Sequence, residues 1–422
     1  MAHRFHFQKK NPKALCSVRR AVPMAMLLIA GAIAAGADPG KPRQDRGSAK
    51  AAPQERGPAT TSPQEIRAAI GHLADLDYAS RVKAARLVRR SAASQAVPAL
   101  LEAIKEHKDG FVRFRSLILL TGFNDPRAAD EMTAALSSPN DRLRDVAYGY
   151  LELHPNRAMI PRLLQALDKE VDDLVRPSVI RALAAVGDDP KVKEVLLRDM
   201  TRGVDLFRST VIEALGDYKH AYAIPTLVQI AKLEGPLQDD AVIALGRIGD
   251  KDALKLFAEL QRSGSKELQP TLAAAICMLG VNCGSHLGYL EKTLTFASQN
   301  PGYQELVRPT AAGLAAVAIG GQDEGLRILF DKGIPSMDPI RAPMALAVAK
   351  VALRNTPLML STLEKRTDQS GAVDLVAEGF DMLEEDLEEE QFFATVRKSY
   401  WAAADNAPTR RLAERLITKL DF

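Results

Sequence analysis

Cysteine and histidine are the side chains of this sequence best suited to chemistry, and their spacing limits what they can do. Cys277 and Cys283 lie six residues apart in CMLGVNC, and no other cysteine follows residue 37. A disulfide between them would suit an oxidising compartment. The alternative is that Cys277 simply packs in the core of an Ala-rich helix. The sequence leaves both open, but His286 adds too few ligands for a metal site.

The histidines are scattered along the chain rather than clustered. His72, His107, His154, His220 and His286 fall in different segments, and we expect them to lie on the surface. The sequence contains no HExxH, GxSxG, Walker or CxxCH motif, so the spacings typical of metalloproteases, serine hydrolases, nucleotide-binding proteins and c-type haem proteins are missing. The sequence therefore predicts no catalytic residue, no metal ligand and no cofactor.

An acidic run near the end of the sequence is a further candidate for function. Six of the seven residues in Glu384–Glu390 are acidic, and Phe392, Phe393, Tyr400 and Trp401 follow them. One interpretation is an element that docks a partner through an acidic entrance. The favoured interpretation is a solvated terminal helix that caps a stack of helices, with its aromatic side chains covering the last apolar face.

The first 37 residues have the layout of a secretory signal peptide. Residues 1–37 hold six Lys and Arg and no acidic residue, and the uncharged run 21–34 leads to Ala35-Gly36-Ala37. A run of this length is short for a membrane span. We therefore expect a periplasmic or secreted protein with no membrane span after signal cleavage. The alternative is an uncleaved signal that anchors the chain to the inner membrane.

Without that segment the chain is no longer basic. The full sequence has a formal charge of +3, but residues 38–422 hold 50 basic and 53 acidic residues, a net charge of −3. This balance argues against nucleic acid as a partner. Residues 38–62 are rich in Pro, Ala and charge, and we expect them to be a disordered linker.

The elements that would position any site repeat along the chain. Arginines near the starts of amphipathic helices occur at Arg81, Arg113, Arg144, Arg176 and Arg208, with spacings of 32, 31, 32 and 32. The register continues at Gln238, Gln269, Arg308 and Arg341. A second apolar segment, such as AVPALLEAI or YAIPTLVQIA, precedes each of these helices. A unit of helix, turn and helix with this period indicates a stacked solenoid.

The best-preserved units identify the kind of repeat. Residues 157–190 and 220–252 share the pattern A-x-x-P-x-L, then D, V-R and A-L-G-x-I-G-D. This resembles the HEAT repeat, particularly the short HEAT-like form of phycobilisome lyases and many bacterial proteins. The resemblance implies an all-α fold, a right-handed α-solenoid of about nine helical pairs over residues 63–357, with degenerate capping helices over 358–422.

An acidic residue precedes most of the repeated arginines by three or four positions. At Gln238 and Gln269 the arginine is absent, and the residues three positions before are Gly235 and Lys266, which predicts that acid and arginine are hydrogen-bonded to each other between adjacent units. The resemblance to HEAT proteins likewise implies an Asp–Arg ladder. The predicted pairs are Asp77 with Arg81, Asp109 with Arg113, Asp141 with Arg144, Asp173 with Arg176, Asp205 with Arg208, Glu305 with Arg308, and Asp338 with Arg341.

These observations together predict a non-enzymatic scaffold that binds a protein partner along one long curved surface. An enzyme with a shallow, lyase-like groove site and a structural spacer in the cell envelope are the alternatives. In a stacked array each unit contacts only its neighbours. Because two ladder positions are lost within residues 235–305, we also expect a compliant joint there, between a regular half (64–234) and a divergent half (306–422).

Overall fold

The computed structural model describes residues 61–170, 175–383 and 386–422, and these ranges form twenty-two α-helices with no β-strand. The helices follow one another as eleven pairs. The first helices of the pairs are α1 (Pro63–Gly71), α3 (Ala93–Glu106), α5 (Arg127–Ala135), α7 (Ile160–Lys169), α9 (Pro190–Asp199), α11 (Ile224–Ala231), α13 (Ala253–Ser263), α15 (Cys283–Gln299), α17 (Asp323–Gly333), α19 (Thr356–Lys365) and α21 (Asp386–Ala402). The second helices are α2 (Tyr78–Arg90), α4 (Gly110–Thr121), α6 (Asp141–Leu153), α8 (Arg176–Val186), α10 (Asp205–Asp217), α12 (Gln238–Ile248), α14 (Leu268–Met278), α16 (Val307–Ile319), α18 (Arg341–Arg354), α20 (Gln369–Phe380) and α22 (Pro408–Leu420).

The second helices form one continuous layer, each packed against the next from α4 to α22. Small residues let them approach closely: a methyl group on Gly216 of α10 would lie only 2.8 Å from the Cα atom of Ala244 on α12. The predicted all-α repeat solenoid is therefore confirmed. Nine pairs span α1–α18, and the segment predicted as capping helices forms two further pairs, α19–α22.

The buried apolar side chains form two separate clusters that meet at α14. One runs from Ile66 to Leu279 and the other from Ala273 to Phe422. Opposite faces of α14 belong to them: Leu272 packs in the first cluster, and Cys277 in the second. This boundary lies inside the segment 235–305, and its compliance stays a prediction.

The two ends of the stack are in contact. Helix α21 packs against α4 and α6 as well as against α18 and α22. Arg354, at the end of α18, also lies 3.6 Å from the carboxylate of Glu152 on α6. The expectation that each unit contacts only its neighbours is therefore wrong for the ends of this solenoid, which closes on itself. Across the described ranges, no helix combines the length and the apolar character needed to cross a bilayer.

Candidate protein-binding surface and the closing seam

The repeated arginines and glutamines hold together the two helices of their own pair. Arg113 Nε donates to the carbonyl of Ile104 at 2.9 Å, and Arg176 Nη1 donates to the carbonyl of Leu167 at 3.2 Å. Carbonyls in the last turn of a helix have no partner within it, so a long donor from the next helix satisfies them. Gln238 does the same for its own pair, through a 2.9 Å bond to the carbonyl of Ala231. A similar bond, to a carbonyl in the turn or at the end of the first helix, is donated by Arg81, Arg208, Gln269 and Arg341.

Most of the acids predicted to pair with these arginines bond to backbone N–H groups. Asp77 accepts from Ser80 N at 2.8 Å and so caps α2. Asp109 caps α4 in the same way, through Phe111 N. Asp141 and Asp338 accept from backbone N–H groups at the starts of α6 and α18, although neither is the capping residue. Helix capping thus explains the placement of Asp77 and Asp109.

The other predicted pairs are arranged differently from one another. Asp205 bonds to Arg208 at 3.1 Å, but within one helix rather than between units. Glu305 bonds to Lys266 of the preceding pair at 2.7 Å, and Arg308 is the second residue of α16. Asp173 lies outside the described residues. Cys277 and Cys283 are joined as a disulfide that ties the end of α14 to the start of α15.

Bonds between adjacent units come from glutamates that the spacing did not single out. Glu170 accepts two hydrogen bonds from Arg144 of the preceding pair, at 2.8 and 2.9 Å, and raises the pKa of that arginine. Glu378 makes the same bidentate contact with Arg341, at 2.6 and 2.8 Å. The planar guanidinium can bond carbonyls of its own pair and a carboxylate of the next pair at once.

A charged cluster centred on Glu152 connects several second helices. Glu152 is buried and accepts from Arg181 on α8, at 2.6 to 2.9 Å, and from the hydroxyl of Tyr218 at 2.9 Å. Arg181 also donates a hydrogen bond to Asp217, which accepts another from Arg247 at 2.7 Å. Burial opposes the charge of Arg181, but the two carboxylates outweigh it and raise its pKa. Burial next to Glu152 also raises the pKa of Tyr218.

A second charged cluster, the closing seam, joins α2 and α4 to α21 and α22. Its centre is Glu390, fully inaccessible to solvent, which accepts from Arg89 Nε at 2.7 Å and from Arg397 at 3.2 Å. Burial lowers the pKa of Arg397. Two further ion pairs border the seam, Arg86 with Asp421 and Arg115 with Asp386. Arg90 donates to the main-chain oxygen of Phe422 at 3.1 Å.

Packing at the seam is close. The guanidinium of Arg89 lies 5.0 Å from the ring centre of Phe393, which stacks on Phe422 at 4.1 Å. A methyl group on Gly122, at the end of α4, would overlap with the carboxylate of Glu390. The interpretation of Glu384–Glu390 as a solvated terminal helix is therefore wrong for Glu390. Phe392, Phe393 and Tyr400 after it are buried as expected, but Trp401 is exposed.

A charge pattern in the sequence could have indicated this seam. Helices α2 and α4, YASRVKAARLVRR and GFVRFRSLILLT, contain seven Lys and Arg and no acidic residue. The acidic run 384–390 is their natural counterpart in charge. Because the repeat model predicts contacts between neighbours only, these complementary segments at opposite ends of the chain were not paired.

Exposed apolar side chains are concentrated along one edge of the solenoid, which we call the apolar edge. In the described ranges, every large apolar side chain that is more than half exposed lies at or beside the turn between the two helices of a pair. These residues are Leu76, Tyr78, Val204, Leu206, Leu233, Met337 and Trp401. Leu153 and Met382, near the turns on the opposite edge, are 40% and 43% exposed.

The described ranges hold two further polar features, a surface hollow and a buried histidine. In the described ranges, no three His, Cys, Asp or Glu residues converge as metal ligands would. A hollow of about 440 Å³ is lined by Asp331, Arg366 and Asp368, which already pair with one another at 2.7 to 2.8 Å. His220 is buried beside the carbonyl of Ala184, at 2.8 Å, so the expectation of a surface position is wrong for this histidine.

Comparison with solved structures returns large helical solenoids at low similarity. A Kap121p mutant is 14% identical with a TM-score of 0.36, over 85% of this chain and 45% of that one. Kap95p, from a structure of its complex with RanGDP, is 13% identical with a TM-score of 0.34, over 85% and 55%. A structure from work on cadherin and beta-catenin is 10% identical with a TM-score of 0.30, over 85% and 95%. This chain thus spans about half the length of the first two.

Sequence comparison is more restricted. No curated protein sequence matches the chain. The family model of HEAT repeats matches residues 66–152, which correspond to the segment from α1 to α6. The helix pairs that follow continue the same stacked layer. Residues 66–152 thus match the HEAT-repeat family, and the described ranges as a whole form an all-α repeat solenoid.

Proposed function

We propose that this chain is an exported, non-enzymatic scaffold that binds a protein partner along its apolar edge. The observation that carries the proposal is the confinement of the most exposed large apolar side chains to one edge of the stack. Single exposed apolar residues are ordinary on protein surfaces. Their restriction to the turns of one edge, in five of the eleven pairs of the described ranges, is not expected from chance exposure.

The geometry of a repeat stack favours an extended polypeptide as the occupant. Each pair presents its turn at the same edge, so the exposed apolar side chains of the first, fifth, sixth, ninth and eleventh pairs face the same side. Val204 and Leu206 come from the fifth pair, and Leu233 comes from the sixth. An extended segment with apolar side chains at matching intervals could contact several turns, whereas a small molecule would reach only one.

Site-specific photocrosslinking in cells tests this proposal. A photoreactive residue at Leu206 or Leu233 should capture one polypeptide that the same residue at Leu153 or Met382, on the opposite edge, does not capture. Leu206→Asp combined with Leu233→Asp should abolish that capture and leave the thermal midpoint nearly unchanged, because both side chains are already exposed. Equal capture from both edges would contradict the proposal.

Export is proposed from residues 1–37 alone and needs its own test. N-terminal sequencing of the protein from the periplasm or medium should begin at Asp38, because Ala35-Gly36-Ala37 directly follows the apolar run. Intact chains that begin with Met1 and stay in the cytoplasm would contradict export.

A further inference from the structure

We propose that α21 is a built-in occupant of a binding site on α2 and α4, and that an acidic helix of a partner protein competes with it. The proposal extends the protein-binding function to a second surface, made of different residues from the apolar edge. It concerns a site at which the chain binds part of itself in the closed form.

The residues at the seam define what this site recognises. On α21 the contacting side chains are Asp386, Glu390 and Phe393, at positions i, i+4 and i+7, which share one face of a helix. On the other side, Arg115 pairs with Asp386, and Arg89 contacts both Glu390 and the Phe393 ring. The recognised pattern is therefore an acidic residue, a second acid four positions later, and a phenylalanine three positions after that.

The seam can open without breaking a hydrophobic core. The buried apolar residues of α1–α6 belong to the first cluster, and those of α21 and α22 belong to the second, apart from Leu387, which belongs to neither. The contacts that cross the seam are mainly ion pairs and hydrogen bonds, with Leu387 against Gly149 as an apolar contact. Buried ion pairs add little net stability because desolvation offsets their attraction. Opening returns these charges to water and leaves both cores intact.

The open site would keep a strong preference for acidic helices. Helices α2 and α4 carry seven basic residues and no acidic one, and removal of α21 takes the carboxylates of Glu390 and Asp386 away from Arg89 and Arg115. Arg89, whose side chain is 8% exposed in the closed form, then presents its guanidinium to any helix that supplies a carboxylate and an aromatic ring. A partner helix needs to bind only the open form in order to shift the equilibrium towards it.

A peptide titration on the full chain tests the proposal. The probe is a fluorescent peptide of residues 386–402, and the opened chain carries Asp386→Lys and Glu390→Lys, which place like charges against Arg115 and Arg89. If the closed form holds about 99% of the unaltered chain, the opened chain should bind the peptide about a hundredfold more tightly. Adding Arg89→Glu to the opened chain should abolish binding, and so should Glu390→Lys in the peptide.

Peptide binding and hydrogen exchange can each support or contradict the proposal. A folded, opened chain that does not bind the peptide would overturn the proposal. If the opened chain fails to fold, hydrogen exchange of the unaltered chain decides instead: amides of α21, α22 and the ends of α2 and α4 should exchange together, faster than those of α8–α12. Exchange of the seam only through global unfolding would refute it. Leu206→Asp should leave peptide binding unchanged, so failure here is separate from failure at the apolar edge.

Discussion

Glu152 and Glu390 are both buried glutamates that face arginines, but they join different parts of the molecule. Glu152 bonds to Arg181 and Tyr218, which belong to the next two repeats in the stack. Glu390 bonds to Arg89, which lies 301 residues away at the other end of the chain. Glu152 therefore bonds mainly within the continuous stack, with Arg354 of α18 at 3.6 Å from its carboxylate, whereas Glu390 joins the two ends of that stack.

This difference separates stability from closure. Loss of the Glu152 contacts exposes unpaired charge among helices that cannot move apart without breaking their shared apolar core. Loss of the Glu390 contacts can be relieved by opening the seam, which lies between two separate cores. Equal burial thus does not imply equal contributions to the free energy of unfolding.

The largest effect is expected from Glu152→Ala. Removal of Glu152 leaves the buried Arg181 with Asp217, at 3.2 Å, as its remaining carboxylate partner, so the free energy of unfolding should fall by about 3 kcal/mol, the low end for breaking a buried ion pair. Chemical denaturation followed by circular dichroism measures it. Glu390→Ala is the matched comparison, and it should lower global stability less because the seam opens instead. A larger loss for Glu390→Ala than for Glu152→Ala would contradict the distinction.

Gly122→Ala should act on the seam alone. The added methyl group overlaps with the carboxylate of Glu390, so α21 has to shift to relieve the overlap. Overpacking of this kind costs about 1 to 3 kcal/mol, which should appear as faster hydrogen exchange in α21 and α22. Gly288→Ala on α15 is the control, because a methyl group there meets no atom within 4 Å. Unchanged exchange in Gly122→Ala would show that the seam tolerates the overlap.

The repeat was predictable because the same local hydrogen-bonding requirement recurs in successive pairs. The last carbonyls of each first helix require a donor, so Arg113 and Arg176 recur at the register that the sequence shows. The prediction of an Asp–Arg ladder assigned Asp77 and Asp109 to these arginines, whereas in the structure both aspartates cap helices. Capping and ion pairing favour the same residue type at the same place.

The seam was not predictable from the same logic, since it occurs once and has no period. Its residues come from segments about 300 positions apart, and periodic patterns carry no information about such a contact. Only the unbalanced charge of α2, α4 and the run 384–390 pointed to it. Glu152 gave no signal at all, because it is one of three acidic residues in an ordinary amphipathic helix.

A smaller effect is expected at α14, where the two cores meet. If the closed solenoid opens at the seam, the bend needs a compliant place, and the boundary between the clusters provides one. Amides of α13–α15 should exchange about tenfold faster than those of α3–α10, a difference of about 1.4 kcal/mol in opening free energy. Hydrogen exchange with mass spectrometry resolves the two segments. Uniform protection from α3 to α15 would show that the core boundary does not bend.

The smallest changes in the free energy of unfolding are expected for the repeated arginines. Two substitutions compare a hydrogen bond within a helix pair with an ion pair between adjacent pairs. Arg176→Gln should change the free energy of unfolding by about 0.5 kcal/mol or less, because Gln238 already fills the same role for its own pair. Arg144→Gln should cost about 1 kcal/mol or more, because Glu170 loses both bonds of a bidentate pair. Thermal and urea denaturation of the two variants measures the difference. Equal losses would mean that Glu170 adds nothing to the contact between adjacent repeats, and that the stack depends on apolar packing alone.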